Sequence, residues 1–425
     1  MKRRDFVAAA SAVLAMLAGA PAQAAKKPAP KKPAAKPAAK PAAKPAAKPA
    51  AKPAKKTGKP AAGPAKPAAK PAAKPAESAN AAESPKADAP RNAISLPDEP
   101  APRWRDYELH ATLEIKNTAG RTRLWLPLVQ YRDTPWERSL GHAWQGNHET
   151  AGIYRDPVAD MEVFYADWPA GAPNPRLEIT SRFATQDRHF DITRRNAIAE
   201  RGEILRRCLQ ATELVPTNGI VRQTAERAVG RVKDPLAQAK AIYDWVVENT
   251  TYDPQERDIG HTHIAGLLES GQLAGRSVEI SLLFVGLCRA IGIPARPSFG
   301  LRIDRSRIFS SLGADGELNA ARQCRAEFYS PGYGWVPVNP ADVRLAILRE
   351  NLSPFDPKLT VLKKLLFGFW EMNWVGFNTA QDVLLHGTER GALPFLIDPV
   401  VETPSGRIAG PSSSYLSYSI TTKRV

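Results

Sequence analysis

The chain has 425 residues, a formal net charge of +16 and three cysteines. Residues 1–90 carry 19 Lys and Arg against 4 Asp and Glu, so nearly all of the excess positive charge lies there, and the remaining chain is long enough for two domains. This near-neutral remainder disfavours a nucleic-acid-binding function for the folded part, and three cysteines are too few for a disulfide scaffold.

Residues 1–24 have the pattern of a bacterial secretory signal peptide. The basic letters KRR at 2–4 precede an apolar run at 7–20, and AQA at 22–24 is a typical cleavage site. The letters RRDF at 3–6 fit the twin-arginine export pattern. An uncleaved membrane anchor is the alternative, but the apolar run is shorter than the roughly 20 residues that span a bilayer. We therefore expect an exported protein, either periplasmic or secreted.

Residues 25–100 form a segment rich in Lys, Pro and Ala, built mostly on a repeated Lys-Pro-Ala-Ala unit. It holds almost no large apolar residue, and frequent Pro blocks helix formation, so we expect a disordered, extended tether. A solvated spacer is the simplest role. Its positive charge also suits an anionic envelope surface, whereas the predicted export disfavours nucleic acid as its partner.

Residues 101–195 show the two-residue alternation of half-buried strands, and turn-forming residues separate some of these segments. We expect a small β-sandwich-like domain that packs against and positions the rest of the chain, because its strands carry no obvious chemistry. The predicted strands cover residues 107–115, 122–129, 161–168 and 176–185.

Residues 196–425 change from helical patterns to strand patterns, which indicates the α+β fold class. Apolar residues at helical spacing predict one helix from about residue 235 and another at about 277–290. A C-terminal extension follows, in which residues 367–377 are dense in aromatic side chains. A final strand is expected at 415–421.

Two further strands are predicted to meet at the letters SPG, residues 330–332, where the glycine can take a left-handed conformation. Centring the loop on its proline pairs Tyr329 with Tyr333. The same register pairs Gln323 with Asn339, so we expect these two side chains to lie opposite each other on one face of the sheet.

Five sequence words in this half of the chain resemble the bacterial transglutaminase-like (papain-like) family; they are LLESG, LFVGLCRAIGIPAR, CRAEFY, GWVPVNPADV and WEMNW. The resemblance implies a papain-like core, in which a helix packs on an antiparallel sheet. It also implies thiol-dependent acyl transfer, such as peptide or isopeptide hydrolysis and amide exchange. In that family a Cys opens the helix, a His precedes CRAEFY and an Asp replaces the Asn of GWVPVNPADV. The corresponding residues here are Ser277, Gln323 and Asn339.

None of these three residues keeps the chemistry of the family position. Ser277 is an alcohol that a helix dipole cannot ionise, and serine is also a common N-cap residue. Gln323 cannot act as a base, and Asn339 carries no charge to orient an imidazolium. We predict an inactive triad and a binding or scaffold module for peptide or cell-wall components of the bacterial envelope. The alternative is a thiol-independent or unconventional amide or peptide hydrolase or acyl transferase, which a reactive thiol or a bound metal would indicate.

Other residues with metal-ligating or nucleophilic side chains have simpler explanations. Cys288 lies on the apolar stripe of the predicted helix and Cys324 points inward on a strand, so both are expected in the core. His261 and His263 have a spacing that could contribute to a metal site, but no third ligand is visible in the sequence. We therefore expect no metal and no cofactor, and a surface or supporting role for the two histidines.

Overall fold

The computed structural model describes the chain beyond the predicted signal peptide at 1–24 and the predicted tether at 25–100, and both of these lie outside the described residues. The described residues are 103–116, 120–255, 263–314, 316–410, 412–413 and 415–425. They belong to one unit. Among them, no helix has both the length and the apolar character needed to cross a membrane.

The strands of the described residues fall into three larger antiparallel sheets and two short pairings. In chain order they are β1 (Arg105–Ile115), β2 (Thr122–Pro127), β3 (Glu137–Gly146), β4 (Thr150–Asp156), β5 (Met161–Trp168), β6 (Arg176–Thr185), β7 (Arg188–His189), β8 (Thr251–Tyr252), β9 (Ala274–Gly275), β10 (Ala295–Arg302), β11 (Arg322–Ser330), β12 (Gly334–Val338), β13 (Phe369–Trp370), β14 (Trp374–Asn378), β15 (Val400–Thr403), β16 (Gly406–Ala409), β17 (Ser412–Ser413) and β18 (Leu416–Arg424).

Two five-stranded sheets face each other across an apolar core and form a sandwich. Their strand orders are β17-β18-β1-β6-β3 and β16-β15-β2-β5-β4. The alternation that predicted four of these strands places every second side chain in the shared core, as for Leu109, Leu113 and Phe164. The predicted final strand is present as β18 and pairs with β1. The end of the chain therefore completes the sandwich, which the sequence pattern did not indicate.

The sequence patterns missed β3 and β4, which are edge strands of the two sheets. Most of their side chains are exposed or only half-buried. An edge strand of this kind lacks a regular apolar alternation, so the two-residue period that revealed its neighbours is absent.

The second half of the chain surrounds a central helix with other helices and a four-stranded sheet of order β12-β11-β10-β14. The helices are α1 (Gly202–Arg207), α2 (Gly219–Val229), α3 (Pro235–Asn249), α4 (Ile264–Ser270), α5 (Ser277–Ala290), α6 (Pro340–Glu350) and α7 (Pro357–Leu365). Every residue of α5 is buried, because β10 and β11 cover one side and α2, α3 and α6 cover others. The predicted helix at 277–290 and the α+β fold class are confirmed.

The hairpin between β11 and β12 has a register two residues away from the predicted one. Tyr329 pairs with Trp335, so its predicted pairing with Tyr333 is wrong. Gly332 and Gly334 have φ values of 83° and 77°. Because the chain uses left-handed conformations at both glycines, the loop extends beyond Gly332 and the strands close later than expected.

This shift separates two of the candidate site residues. Gln323 pairs with Gly300 of β10, and Asn339 lies just beyond the end of β12. The predicted cross-strand pairing of Gln323 with Asn339 is therefore wrong. An even shift in register leaves each side chain of β11 on the face that the alternation assigned to it.

Candidate functional site

Ser277 is the first helical residue of α5, and Arg276 is the N-cap. Ser277 lies at the start of the helix as expected, but the N-cap role that would explain a serine there is wrong. The Glu279 carboxylate accepts the N–H of Arg276 at 2.9 Å and satisfies this end of the helix from within the first turn. The Ser277 hydroxyl instead accepts the backbone N–H of Cys324 at 3.1 Å. It thus joins α5 to β11 beside the position where the family carries its base.

A second serine holds the same residue of β11. Ser281 lies one turn further along α5 and donates its hydroxyl to the carbonyl oxygen of Cys324 at 2.9 Å. Ser277 and Ser281 therefore satisfy the N–H and the C=O of one buried residue from one face of the helix. The hydroxyl at the nucleophile position is engaged in fixing the helix against the strand.

Gln323 is buried between groups of opposite charge. Its Nε2 atom donates to the Asp342 carboxylate at 2.5 Å, and its Oε1 atom lies 3.4 Å from Nε of Arg325. The amide orientation matches both neighbours, because its carbonyl faces the cation and its NH₂ group faces the anion. The side chain is a neutral bridge and has no proton-accepting nitrogen.

Asp342 is a member of the site that the sequence analysis missed. It is 3% exposed, and one of its oxygens accepts hydrogen bonds from both Gln323 and Nη2 of Arg302, the latter at 2.8 Å. The residue lies in the word GWVPVNPADV, three positions after the family's usual carboxylate. No motif in the sequence places a carboxylate of α6 against residue 323.

Asn339 has a structural contact of its own. Its Oδ1 atom accepts the backbone N–H of Asp342 at 3.0 Å, which makes it the N-cap of α6. It is 1% exposed, and its Nδ2 atom has no hydrogen-bond partner among the described residues. Gln323 and Asn339 thus meet through Asp342, the first at its side chain and the second at its backbone.

Arg325 lies behind the site and contacts two aromatic residues of the C-terminal extension. Its guanidinium is 4.7 Å from the ring centroid of Trp374 and 5.7 Å from that of Trp370. Burial lowers the pKa of this arginine to about 9, and the charges of Asp342 and Glu371 oppose the shift. The two tryptophans cover a desolvated cation by cation–π contact.

An open cleft reaches Ser277 and Gln323 from the surface. One part of it has a volume of about 210 Å³ and is lined by both residues together with Asp342. The adjoining part has a volume of about 540 Å³ and also reaches Ser277. Asn339 does not line either part. The structure therefore brings two of the three predicted site residues to one cleft and places the third behind it.

The thiols are poorly suited to nucleophilic chemistry. Cys208, Cys288 and Cys324 are all free and buried, which confirms the core positions expected for Cys288 and Cys324. Burial raises the pKa of each thiol, so each stays protonated and unreactive at neutral pH.

A serine, a histidine and a glutamate meet inside the sandwich, and the sequence analysis did not detect them. His142 Nδ1 lies 2.7 Å from Ser181 Oγ, and its Nε2 lies 3.2 Å from Glu162 Oε2. The three residue types are those of a hydrolytic triad. However, Ser181 is 3% exposed and Glu162 1%, so a substrate in solution does not reach the hydroxyl. The cluster ties the two sheets together through buried hydrogen bonds.

His263 caps a helix. Its Nδ1 atom accepts the backbone N–H of Gly266 at 3.0 Å at the start of α4. His261 lies outside the described residues. In the described part of the chain, no three His, Cys, Asp or Glu side chains are grouped as a metal site.

Comparison with known proteins agrees with the words found in the sequence. Residues 222–340 match the model of the transglutaminase-like superfamily. An uncharacterized protein from Haemophilus influenzae is 32% identical over 300 residues, which cover 66% of this chain and 80% of the relative. The chain belongs to the transglutaminase-like superfamily.

One solved structure supports the fold of this transglutaminase-like protein. A protein named "putative cysteine protease" from Cytophaga hutchinsonii has a TM-score of 0.50 at 14% identity, covering 76% of this chain and 91% of its own. The periplasmic domain of TgpA from Pseudomonas aeruginosa has a TM-score of 0.31 at 15% identity, with coverages of 56% and 94%. At 14% identity, the likeness to the Cytophaga protein concerns the fold alone.

Proposed function

We propose that this protein is an exported, catalytically inactive member of its family that binds peptide or cell-wall components of the bacterial envelope in the Ser277 cleft. One observation carries the proposal. Ser277 accepts the Cys324 N–H while the amide of Gln323 bridges Arg325 and Asp342, so both positions are occupied by neutral hydrogen-bonding groups. An attacking hydroxyl needs an adjacent base, and a glutamine cannot be one.

The surroundings of the cleft support binding without chemistry. Among the described residues that line it, none is a histidine or a cysteine. The cleft is nevertheless open beside Ser277. If the residues around it served only for packing, larger side chains could have filled this space. An open, lined cleft of several hundred Å³ is the usual form of a small ligand or peptide site.

Turnover assays test the catalytic half of this proposal. We expect wild-type protein to show no hydrolysis of peptides and no transfer to amine acceptors, because loss of nucleophile and base together costs on the order of 10⁶ in rate in well-studied triads. Ser277→Ala should match the wild type. An active wild type with a dead Ser277→Ala would establish Ser277 as a nucleophile and would support the unconventional hydrolase or acyl transferase instead.

The export half of the proposal rests on the twin-arginine-like start and the AQA site at 22–24. N-terminal sequencing of protein from the periplasm or medium should find a mature chain that begins at Ala25. Recovery of only an intact Met1 form, confined to the cytoplasm, would contradict it.

A further inference from the structure

The Ser277 cleft is rich in arginine. The charged side chains that line it among the described residues are Arg276, Arg302, Arg322 and Arg349, against Glu317 and Asp342. Arg302 is ion-paired to Asp342, and Nε of Arg322 lies 2.7 Å from Asp398 behind the cleft. These two cations are therefore largely neutralised by carboxylates of the protein itself.

The other two arginines bond to the backbone and to no described carboxylate. Arg276 donates to the carbonyl oxygen of Pro254 at 2.6 Å, and Arg349 donates to that of Ser311 at 2.6 Å. Each of these bonds occupies one of the five N–H donors of a guanidinium and does not neutralise its charge. Among the described residues, no carboxylate pairs with the charge of either arginine, so this part of the cleft carries positive charge.

These charges converge on one place. Burial and the charge of Asp342 raise the pKa of Tyr252, whose side chain lines both parts of the cleft, and the positive charges of Arg276, Arg302 and Arg349 act against that shift. Each of these three arginines lines the cleft together with Tyr252.

Arg322 lines the cleft and has a buried Nη1 atom with no hydrogen-bond partner among the described residues. A buried donor without a partner costs about 1–3 kcal/mol, and a shift of the side chain towards the cleft would let a ligand oxygen accept from it. The lining also includes the apolar side chains of Leu345, the 48% exposed Leu348 and Ile397.

We propose that this cleft recognises a peptide carboxylate that has an apolar side chain beside it. Planar guanidinium groups suit the two oxygens of a carboxylate, and Leu348 supplies exposed apolar surface for the neighbouring side chain. The inference rests on the proposed binding function and names the ligand class for that same cleft. A cleft with this positive charge should bind an acid better than the corresponding amide.

Three fluorescein-labelled peptides distinguish the source of the carboxylate. They are Ala-Ala-Leu with a free C-terminus, Ala-Ala-Leu amide, and Ala-Glu-Leu amide, each titrated with the full mature chain and followed by fluorescence anisotropy. We expect the free acid to bind at least about 10-fold more tightly than its amide, since hydrogen bonds to a charged group are worth about 1.5–3 kcal/mol. If the glutamate peptide binds as tightly as the free acid or more tightly, the site recognises a side-chain carboxylate.

Charge-matched variants separate the cleft from the basic tether. Arg349→Gln and Arg276→Gln should each weaken binding of the free acid about 10-fold and change binding of the amide little. Arg222→Gln on the surface of α2 removes the same charge elsewhere and should change neither. Equal binding of acid and amide overturns the carboxylate inference and leaves peptide binding intact. If none of the three peptides binds, the proposed peptide-binding function fails with it.

Discussion

The Ser277 hydroxyl accepts the backbone N–H of Cys324, the residue that follows Gln323 on β11. The bond ties the nucleophile position to the base position through the main chain. It gives the serine a structural role in a place where the family uses a reactive group. Because Ser281 binds the carbonyl of the same residue, the strand is held at two points by one helix.

Removal of the Ser277 hydroxyl should therefore lower stability. Ser277→Ala leaves the buried Cys324 N–H without its acceptor, and we expect the free energy of unfolding to fall by about 1–3 kcal/mol. Urea unfolding followed by tryptophan fluorescence measures this. Ser281→Ala is the matched control and should cost a similar amount. Wild-type stability in Ser277→Ala would contradict the docking role.

Rebuilding the thiol and the imidazole tests what the site has kept. We expect the thiol of Ser277→Cys alone to react slowly with iodoacetamide. The double variant Ser277→Cys with Gln323→His should react faster, because its thiol should have a lower pKa. Asp342 already accepts a hydrogen bond from residue 323 and can orient the new imidazole. Asn339→Asp as a third substitution should increase the rate of thiol alkylation less than Gln323→His does.

The control for this series is Asp342→Asn in the double variant. Without the carboxylate, the histidine loses its orienting partner, and the thiol pKa should return towards that of Ser277→Cys alone. If Asn339→Asp and not Asp342 determines the thiol pKa, then the family's carboxylate position still governs residue 323 in this fold.

The ion pair of Arg302 with Asp342 should behave as a coupled unit. Both side chains are buried, and Asp342→Ala leaves the Arg302 charge uncompensated, so we expect a loss of about 3–5 kcal/mol. Arg302→Leu combined with Asp342→Ala should cost clearly less than the sum of the single variants. Additive costs in this double-mutant cycle, measured by urea unfolding, would mean that the two residues act independently.

The sequence was sufficient for the parts of the fold that depend on local periodicity. Apolar residues at helical spacing indicated α5, and its predicted ends were confirmed. The register of the hairpin was not predictable, because it depends on which of two glycines, Gly332 and Gly334, closes the loop. Asp342 was missed for a different reason, since its contact with Gln323 follows from tertiary packing and from no motif.

Glu137 gives the fold a pH dependence that can be measured. This carboxyl of β3 is 3% exposed, and burial raises its pKa from 4.5 to about 8, against the opposing effects of the Gly376 N–H and nearby arginines. The folded state therefore holds the proton more tightly than the unfolded state does. The resulting stability is fully present below about pH 4.5 and is lost as the pH rises through about 8.

Glu137→Gln should remove this dependence. We expect the wild type to lose about 1.4 kcal/mol per pH unit between pH 6 and pH 8 from this group, while the variant loses less, so that the variant becomes the more stable protein at about pH 9. The window begins at pH 6 because the pKa of Asp398 is also raised, to about 6. Glu178→Gln, an exposed carboxyl on the adjacent β6, is the control and should follow the wild type. Parallel pH profiles for wild type and Glu137→Gln in urea unfolding would show that Glu137 is ionised in the folded protein throughout this range.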